Sequence, residues 1–284
     1  TRILIVIFIL SIIGVLVNPY AYGSGKWTVV RQDDYARNDG VEGDLQDLQF
    51  VDANNGWAVG FQGLILHTAD GGKTWTKQVI EMERPVDFWN VYFRDANVGF
   101  ITGSWGTIFM TKDGGKTWEL KKSETRTRLM DTWMLNEQVG FIVGENNTFL
   151  KTTDGGESWV GKGERVRVGE TRNNLEHIFF ASPTPGWIVG SFGTLMHTIN
   201  GGETWENQTP GVDNNLMAVH FVDAKTGWIS GQEGVILHTQ DGGATWSQQK
   251  TDSYDNLNDI VFIDSQTGWA VGDAAGIHVP PCAG

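Results

Sequence analysis

A repeat of about 40 residues is the feature that most constrains how this chain can fold. Five copies of a turn of the form Asp/Asn-Gly-Gly-x-Thr/Ser-Trp are spaced by 41 to 46 residues, and they begin at Asp70, Asp113, Asp154, Asn200 and Asp241. A Gly-Trp or Gly-Phe pair precedes each turn, and a sixth pair, Gly268-Trp269, has no such turn after it. Repeats of this length that are built of short strands are typical of a radial β-propeller.

One repeat contains the pattern of a complete blade. Residues 45–52 alternate apolar and polar side chains, which predicts a half-buried strand. Residues 57–60, 64–68 and 75–78 predict three further strands, and Gly-rich turns separate them. The fold class predicted is therefore all-β, a propeller of four-stranded antiparallel blades with six repeats visible. The blades are expected at 45–80, 88–123, 129–164, 175–210 and 216–250, with a partial blade from 257.

The recurring turn is interpreted as structural. An acceptor at its first position can bind backbone N–H groups two or three residues later, and the two glycines permit positive φ angles. Asn200 keeps the acceptor but carries no charge, which argues against acid–base or metal chemistry at this position.

Composition excludes one class of function. The chain has 284 residues and a formal charge of −13, whereas binding to phosphates in nucleic acids requires net positive charge. No linker divides the sequence, so residues 24–284 are predicted to form one propeller domain with an incomplete last blade. No cofactor, metal or nucleic acid is predicted.

The N-terminus predicts export. Residues 3–17 form an apolar run after Arg2, and the small residues around Gly23 fit cleavage by signal peptidase. Residues 1–23 are therefore predicted to be a signal peptide, with an uncleaved N-terminal anchor as the alternative. The single cysteine, Cys282, provides no disulfide framework. Residues 277–284 abandon the repeat where a third strand is due, which suggests a truncated chain.

The repeat resembles the photosystem II assembly and stability factor family. The full set of motifs is Gly56-Trp57-Ala58-Val59-Gly60, Leu64-Ile65-Leu66-His67-Thr68 and Asp70-Gly71-Gly72-Lys73-Thr74-Trp75, and it recurs at 186–205 and 227–246. The resemblance covers about residues 25–276. It implies an exported seven-bladed propeller of the thylakoid lumen or periplasm, so a seventh blade is expected beyond the six repeats. It also implies a protein that, in phototrophs, binds the precursor of the D1 reaction-centre protein and helps to build photosystem II. A non-catalytic protein is predicted because the blades are regular and their connectors are short.

The predicted contact with a protein partner lies on one face of the propeller. The loops between second and third strands and the connectors between blades open on the same face, and half of the ten arginines fall in two adjacent connectors. Arginine suits bidentate contact with carboxylates of a partner such as a membrane-protein segment. The predicted partner-binding residues are Lys121, Lys122, Arg126, Arg128, Arg165, Arg167 and Arg172, with the loop aromatics Phe61, Trp105 and Phe192.

Two other sets of residues are interpreted as structural. Asp47, Asp131 and Asp259, with Asn90 and His177 at equivalent positions, are expected to line the central channel. His67, His197 and His238 recur once per blade, so they are too far apart to share a metal. The rival functions are a sialidase-like or other Asp-box glycoside hydrolase or glycan-binding propeller, and a general periplasmic interaction protein of a non-phototroph. No catalytic residue is predicted, because nothing marks a tyrosine or carboxylate pair as activated.

Overall fold

The computed structural model describes residues 44–161, 173–251, 254–273 and 277–279. Within these residues the strands form five four-stranded sheets and one three-stranded sheet, each built of consecutive antiparallel strands. This confirms the predicted all-β architecture of blades. The predicted signal peptide, and Arg165, Arg167 and Arg172, lie outside the described residues.

Each of the first three blades follows the strand order expected from one repeat. Blade 1 consists of β1 (Leu45–Phe50), β2 (Gly56–Gly60), β3 (Ile65–Thr68) and β4 (Thr76–Gln78). Blade 2 consists of β5 (Phe88–Phe93), β6 (Gly99–Gly103), β7 (Ile108–Thr111) and β8 (Glu119–Lys121). Blade 3 consists of β9 (Leu129–Met134), β10 (Gly140–Gly144), β11 (Thr148–Thr152) and β12 (Val160–Gly161).

The remaining strands repeat the same arrangement. Blade 4 consists of β13 (Leu175–Phe180), β14 (Gly186–Gly190), β15 (Thr194–Thr198) and β16 (Glu206–Gln208). Blade 5 consists of β17 (Leu216–Phe221), β18 (Gly227–Gly231), β19 (Ile236–Thr239) and β20 (Ser247–Gln249). Blade 6 contains β21 (Leu257–Phe262), β22 (Gly268–Gly272) and β23 (Ile277–Val279). The backbone of β23 pairs with β22, so the third strand persists although the sequence motif is lost there.

The innermost strands determine how the blades are arranged. β1, β5, β9, β13, β17 and β21 lie side by side in chain order, so the blades follow one another around a central cavity. The second strands of the first five blades are completely buried, which explains why each has an aromatic residue after its first glycine and is largely apolar. Within the part of the chain that the structure describes, no helix has the length and apolar character needed to cross a membrane.

Aromatic stacking joins blades 1 and 2, blades 4 and 5, and blades 5 and 6. The ring of Trp57 in blade 1 stacks on Phe93 in blade 2 with centroids 3.8 Å apart. The equivalent pairs Trp187–Phe221 and Trp228–Phe262 have centroid separations of 3.7 and 3.5 Å. These side chains are buried, so each pair removes a large apolar area from water at a junction between blades.

The recurring turn of one blade covers the aromatic residue of the preceding one, and this requires glycine. Gly115, in the turn of blade 2, has a φ of 77°. A Cβ atom at this position would lie 2.6 Å from the indole nitrogen of Trp57. A side chain is therefore excluded both by the backbone conformation and by the space available.

The first residue of each turn has the structural role predicted. The Asp113 carboxylate accepts hydrogen bonds from the Thr117 backbone N–H at 2.9 Å, the Thr117 hydroxyl at 2.6 Å and the Thr111 hydroxyl at 2.8 Å. These bonds, led by that from the Thr117 hydroxyl, lower its pKa to about 2. Asn200 binds Thr204 and Thr198 in the same way. The donor lies four residues after the acceptor rather than two or three, because the two glycines lengthen the turn.

The per-blade histidines are structural side chains. His67, His197 and His238 stack on Trp57, Trp187 and Trp228 with ring centroids 4.6 to 4.9 Å apart. Each histidine is paired across the second and third strands with its tryptophan, so its position follows from strand register. Burial lowers the pKa of all three, which favours the neutral ring.

Candidate partner-binding face and central channel

One face of the propeller is formed by two kinds of loop, and we call it the connector face. It consists of the second-to-third strand loops 61–63, 104–106, 145–147, 191–193 and 232–234, and of the blade-to-blade connectors 79–87, 122–128 and 209–215. Backbone hydrogen bonds join the two kinds of loop. Gly106 N–H, for example, donates to Thr127 O at 2.8 Å, and Gly193 N–H donates to Asn214 O at 2.9 Å. The predicted convergence of these loops on one face is therefore observed.

Each of these loops presents one residue at its tip in the left-handed region of the backbone map. The tip residues have φ angles between 54° and 63°, and they are Gln62, Trp105, Asn146, Phe192 and Glu233. The following residue also has positive φ, including Asn147 at 58°, as the exchange of Gly for Asn predicted. The positive φ at the tips themselves was not anticipated. Bulky residues are uncommon in this conformation, so the two aromatic tips are unusual.

The three predicted loop aromatics occupy two different environments. Trp105 and Phe192 are tip residues with 58% and 72% of their surface exposed. Phe61 instead precedes the tip of its loop and contacts the ring of Trp89 edge-on, with centroids 5.3 Å apart. Phe61 therefore supports a neighbouring ring, whereas the other two project into solvent.

The described part of the predicted basic cluster is divided between exposed and buried cations. Lys122 and Arg126 are exposed in the connector after blade 2. Lys121 is only 7% exposed, and its ammonium group lies 2.8 Å from both Glu119 and Glu157. Lys121 therefore stabilises the junction of blades 2 and 3 and does not belong to the exposed cluster, which corrects the prediction for this residue.

Arg128 is half-buried at the start of blade 3 and makes two contacts. Its guanidinium carbon lies 4.2 Å from the centre of the Trp89 ring, and its Nε atom lies 3.4 Å from Glu145 Oε1. A second cation of the connector face was missed by the sequence reasoning. Arg84 lies over Trp105, with 4.9 Å between the guanidinium carbon and the ring centre. No sequence motif indicates either stack, because each joins residues that are distant along the chain.

A polar ring surrounds the central cavity, as the sequence predicted. Each innermost strand has an irregularity in its pairing at one position, and the residues there are Asp47, Asn90, Asp131, His177, Ala218 and Asp259. The cavity has a volume of about 420 Å³, and five of these residues line it. It also extends along the apolar residues Leu48, Ala58, Leu66 and Trp75 of blade 1.

The carboxylates of this ring join neighbouring blades. Asp47 Oδ2 accepts hydrogen bonds from Val91 N–H at 2.8 Å and from the Asn90 amide at 2.9 Å. Asp131 Oδ2 accepts a bond from Ile178 N–H at 2.9 Å, and its other oxygen binds the Asn90 amide at 3.0 Å. The ring therefore fastens blade 1 to blade 2, blade 2 to blade 3 and blade 3 to blade 4.

Burial dominates the electrostatics of the ring. It raises the pKa of Asp131 to about 7 and those of Asp47 and Asp259 to about 6. The pKa of His177 is lowered for the same reason. His177 Nε2 lies 3.6 Å from Asp131 Oδ2, and the residues described contain no set of three metal-binding side chains. Asp47 and Asp131 therefore join neighbouring blades and have pKa values closer to neutrality than an ordinary carboxylate.

Comparison with known families identifies the chain. The family model described as photosynthesis system II assembly factor YCF48 matches residues 35–123, 79–169, 120–209 and 162–254. The chain belongs to this family. The resemblance seen in the sequence motifs is therefore confirmed, and the matches together span all five complete blades. None of the curated proteins compared with the chain matches it.

Solved structures of this family share the fold. A structure of YCF48 bound to a D1 peptide is 20% identical with a TM-score of 0.50, over 84% of this chain and 92% of that chain. YCF48 from Cyanidioschyzon merolae is 21% identical with a TM-score of 0.59, over 85% and 96%. A GH74 enzyme from Niastella koreensis is 13% identical with a TM-score of 0.69, over 84% of this chain and 45% of the enzyme. At these identities the likeness shows the β-propeller fold alone.

Proposed function

We propose that this protein is a non-catalytic, exported assembly factor that binds a segment of a photosystem II reaction-centre protein on its connector face. Membership of the YCF48 family carries the proposal, and the D1 peptide bound to a YCF48 structure supplies the class of partner. Export to the thylakoid lumen or periplasm rests on the apolar run at residues 3–17. An uncleaved anchor would hold the propeller at the membrane that contains the partner.

The connector face has the chemistry that such a partner requires. Exposed Lys122 and Arg126 lie on a chain whose net charge is −13, so they provide local attraction for an acidic segment. Trp105 and Phe192 offer exposed aromatic surface on the same face. Buried aromatic and arginine side chains account for much of the binding energy at protein interfaces.

Affinity capture tests the proposal. Solubilised photosynthetic membranes are passed over the mature protein and over a variant with Arg126, Arg128, Arg165 and Arg167 changed to Gln. A matched control loses four cations that lie outside the connector face, namely Lys73, Lys77, Lys116 and Lys225. We expect a reaction-centre polypeptide to be retained by the mature protein and the control but lost by the first variant. Equal capture by all three proteins would refute binding through the basic cluster.

A glycoside hydrolase is the second candidate, since GH74 enzymes share the fold. The carboxylates of the central ring are the residues available for such chemistry. Asp47 and Asp131, however, hold backbone N–H groups of neighbouring blades, which gives them a structural function. We expect no release of reducing ends from xyloglucan, the substrate class of the Xanthomonas campestris GH74 xyloglucanase. Hydrolysis that is lost in Asp131→Asn would make the enzyme the preferred function.

A further inference from the structure

One hydrogen bond recurs on the connector face in four blades but is missing in blade 2. In four blades the backbone N–H of the tip residue donates to a side-chain oxygen of the residue just before the next innermost strand. These pairs are Gln62–Asp87, Asn146–Asn174, Phe192–Asn215 and Glu233–Asn256, at 2.9 to 3.5 Å. In blade 2 the tip is Trp105, and the residue just before the next strand is Arg128. A guanidinium group has no acceptor, so this link cannot form.

The tip of blade 2 is also one of two tips that expose an aromatic ring, and the other, Phe192 of blade 4, keeps its hydrogen bond to Asn215. Trp105 has a φ of 63°, a conformation that bulky residues rarely adopt, and its indole is largely exposed. Neither the exposed ring nor the missing hydrogen bond helps the blade to fold. Residues held in such conformations cluster at functional sites, where the surrounding structure maintains them.

Four side chains at this junction form two cation–aromatic stacks. Arg128 stacks on Trp89 and Arg84 stacks on Trp105, at 4.2 and 4.9 Å. The indole N–H of Trp89 donates to Ser104 Oγ at 3.3 Å, which places the first stack beside the loop that carries Trp105. Trp89 also borders the central cavity. Contact with a ring restricts each guanidinium, so less side-chain entropy is lost when that group binds a ligand.

The two arginines differ in their charge environment. Arg128 shares its charge with Glu145 at 3.4 Å. Arg84 is exposed, and no carboxylate of the described residues lies within ion-pair distance of it. Arg84 therefore offers the free charge, and Arg128 mainly positions Trp89.

We propose that Arg84, Trp89, Trp105 and Arg128 form a subsite that binds a protein segment carrying a carboxylate beside an apolar side chain. The inference rests on the proposed function and deepens it by naming what the partner presents. The guanidinium of Arg84, which pairs with no carboxylate of the described residues, can donate two parallel hydrogen bonds to a carboxylate of the partner. The exposed area of the Trp105 ring lies next to that guanidinium and takes the apolar side chain.

The repeat supplies variants that separate binding from folding. Trp105→Asn copies the tip residue of blade 3, and Arg128→Asn copies the acceptor Asn174 of blade 4. Arg128→Asn restores the missing acceptor, and Trp105→Asn places a residue that tolerates positive φ at the tip, so thermal unfolding is expected at an equal or higher temperature for both. Arg84→Gln removes the free charge. Lys225→Gln is the matched control, because it removes an exposed cation from the turn between β17 and β18, outside the connector face.

The binding test uses a minimal probe. Indole N–H signals of ¹⁵N-tryptophan-labelled protein are followed by NMR during titration with N-acetyl-Leu-Glu-Leu-amide and with the matched Gln peptide. Single Trp→Phe substitutions assign the signals of Trp89 and Trp105. We expect both signals to shift saturably with the Glu peptide, with an affinity about fivefold or more above that of the Gln peptide. Arg84→Gln, Trp105→Asn and Arg128→Asn should lose this preference, and Lys225→Gln should keep it.

The outcomes are distinct for the two proposals. Equal shifts with both peptides, or a loss of thermal stability in Trp105→Asn and Arg128→Asn, would overturn the subsite and assign these residues a structural role. If the unmodified protein and the Arg84→Gln/Trp105→Asn variant capture the reaction-centre polypeptide equally, the subsite fails while the proposed function stands. If the Glu peptide binds as expected but no reaction-centre polypeptide is captured, the subsite stands and the photosystem partner is refuted.

Discussion

Asp131, whose carboxylate joins neighbouring blades, makes the stability of the propeller depend on pH near neutrality. Asp131 is buried at the junction of blades 2, 3 and 4, where it binds Ile178 N–H, Thr132 N–H and the Asn90 amide. Burial is the main cause of the raised pKa of Asp47, and the negative charge of Asp131 raises it further. The informative perturbation is Asp131→Asn, which keeps one oxygen acceptor and removes the titration.

The expected change in the free energy of unfolding follows from the pKa of Asp131. Burial raises the pKa of Asp131 from 3.8 to about 7. A carboxyl group with a raised pKa keeps its proton in the folded state, so its stabilisation is complete below pH 3.8 and is lost as the pH rises through about 7. One pKa unit corresponds to about 1.4 kcal/mol, so the loss between about pH 5 and pH 8 is about 2–3 kcal/mol. His177 and His220 have lowered pKa values and titrate with the opposite sign, which masks the effect in the unmodified protein alone.

The assay therefore compares the free energies of unfolding of the unmodified protein and Asp131→Asn. Urea unfolding followed by tryptophan fluorescence is measured for the unmodified protein and Asp131→Asn at several pH values from about 5 to 8. The free energy of unfolding of the unmodified protein, minus that of the variant, is expected to fall by about 2–3 kcal/mol across this range. Asp223→Asn, in an exposed turn, is the control and should show no fall. A flat difference for Asp131→Asn would refute the argument from burial.

Three further perturbations test the repeat itself by equilibrium unfolding. Asp154→Ala removes an acceptor for three hydrogen bonds and is expected to cost about 1–2 kcal/mol, whereas Asp154→Asn should cost less than about 1 kcal/mol, because the turn of blade 4 already has Asn there. Trp187→Ala leaves a cavity against Phe221 at the junction of blades 4 and 5 and should cost about 3–5 kcal/mol. Gly202→Ala should cost at least about 1 kcal/mol, since its φ is 79° and the new methyl would overlap an aromatic ring 2.5 Å away. Equal stability of the Ala and Asn variants at Asp154, or an unchanged midpoint for either other variant, would contradict the roles assigned here.

The blades could be predicted from the sequence because their determinants are local and repeated. Alternation along 45–52 and the turn at Asp70 define strands without reference to other blades. The histidine interpretation succeeded for the same reason, since strand pairing places His67 beside Trp57. Register was harder to predict. The irregular pairing at Asp47, which turns this side chain toward the next blade, depends on close contact between blades.

The contacts of the candidate site were less predictable because they join distant loops. Lys121 is the last residue of β8 and adjoins a connector rich in cations, yet its buried ammonium group forms an ion pair with Glu157 from the next blade. Arg84 and Trp89 carried no motif, and their stacking partners are 21 and 39 residues away in sequence, at Trp105 and Arg128. Composition indicates that cations are present but cannot show which of them are already paired.

In a repeat protein each blade can be compared with the others, and this comparison distinguishes substitutions with a structural role from those with a functional role. Asn200 replaces an aspartate of the recurring turn and still makes the equivalent hydrogen bonds, so the fold accounts for it. Arg128 replaces an Asp or Asn acceptor and makes no equivalent bond, while the tip residue Trp105 exposes an indole in a disfavoured conformation. A substitution in the repeat that preserves the contacts within the protein needs no binding partner to explain it. A substitution that removes an internal contact and exposes apolar surface is favourable only if a binding partner covers that surface. Arg128 and Trp105 combine both changes at the junction of blades 2 and 3.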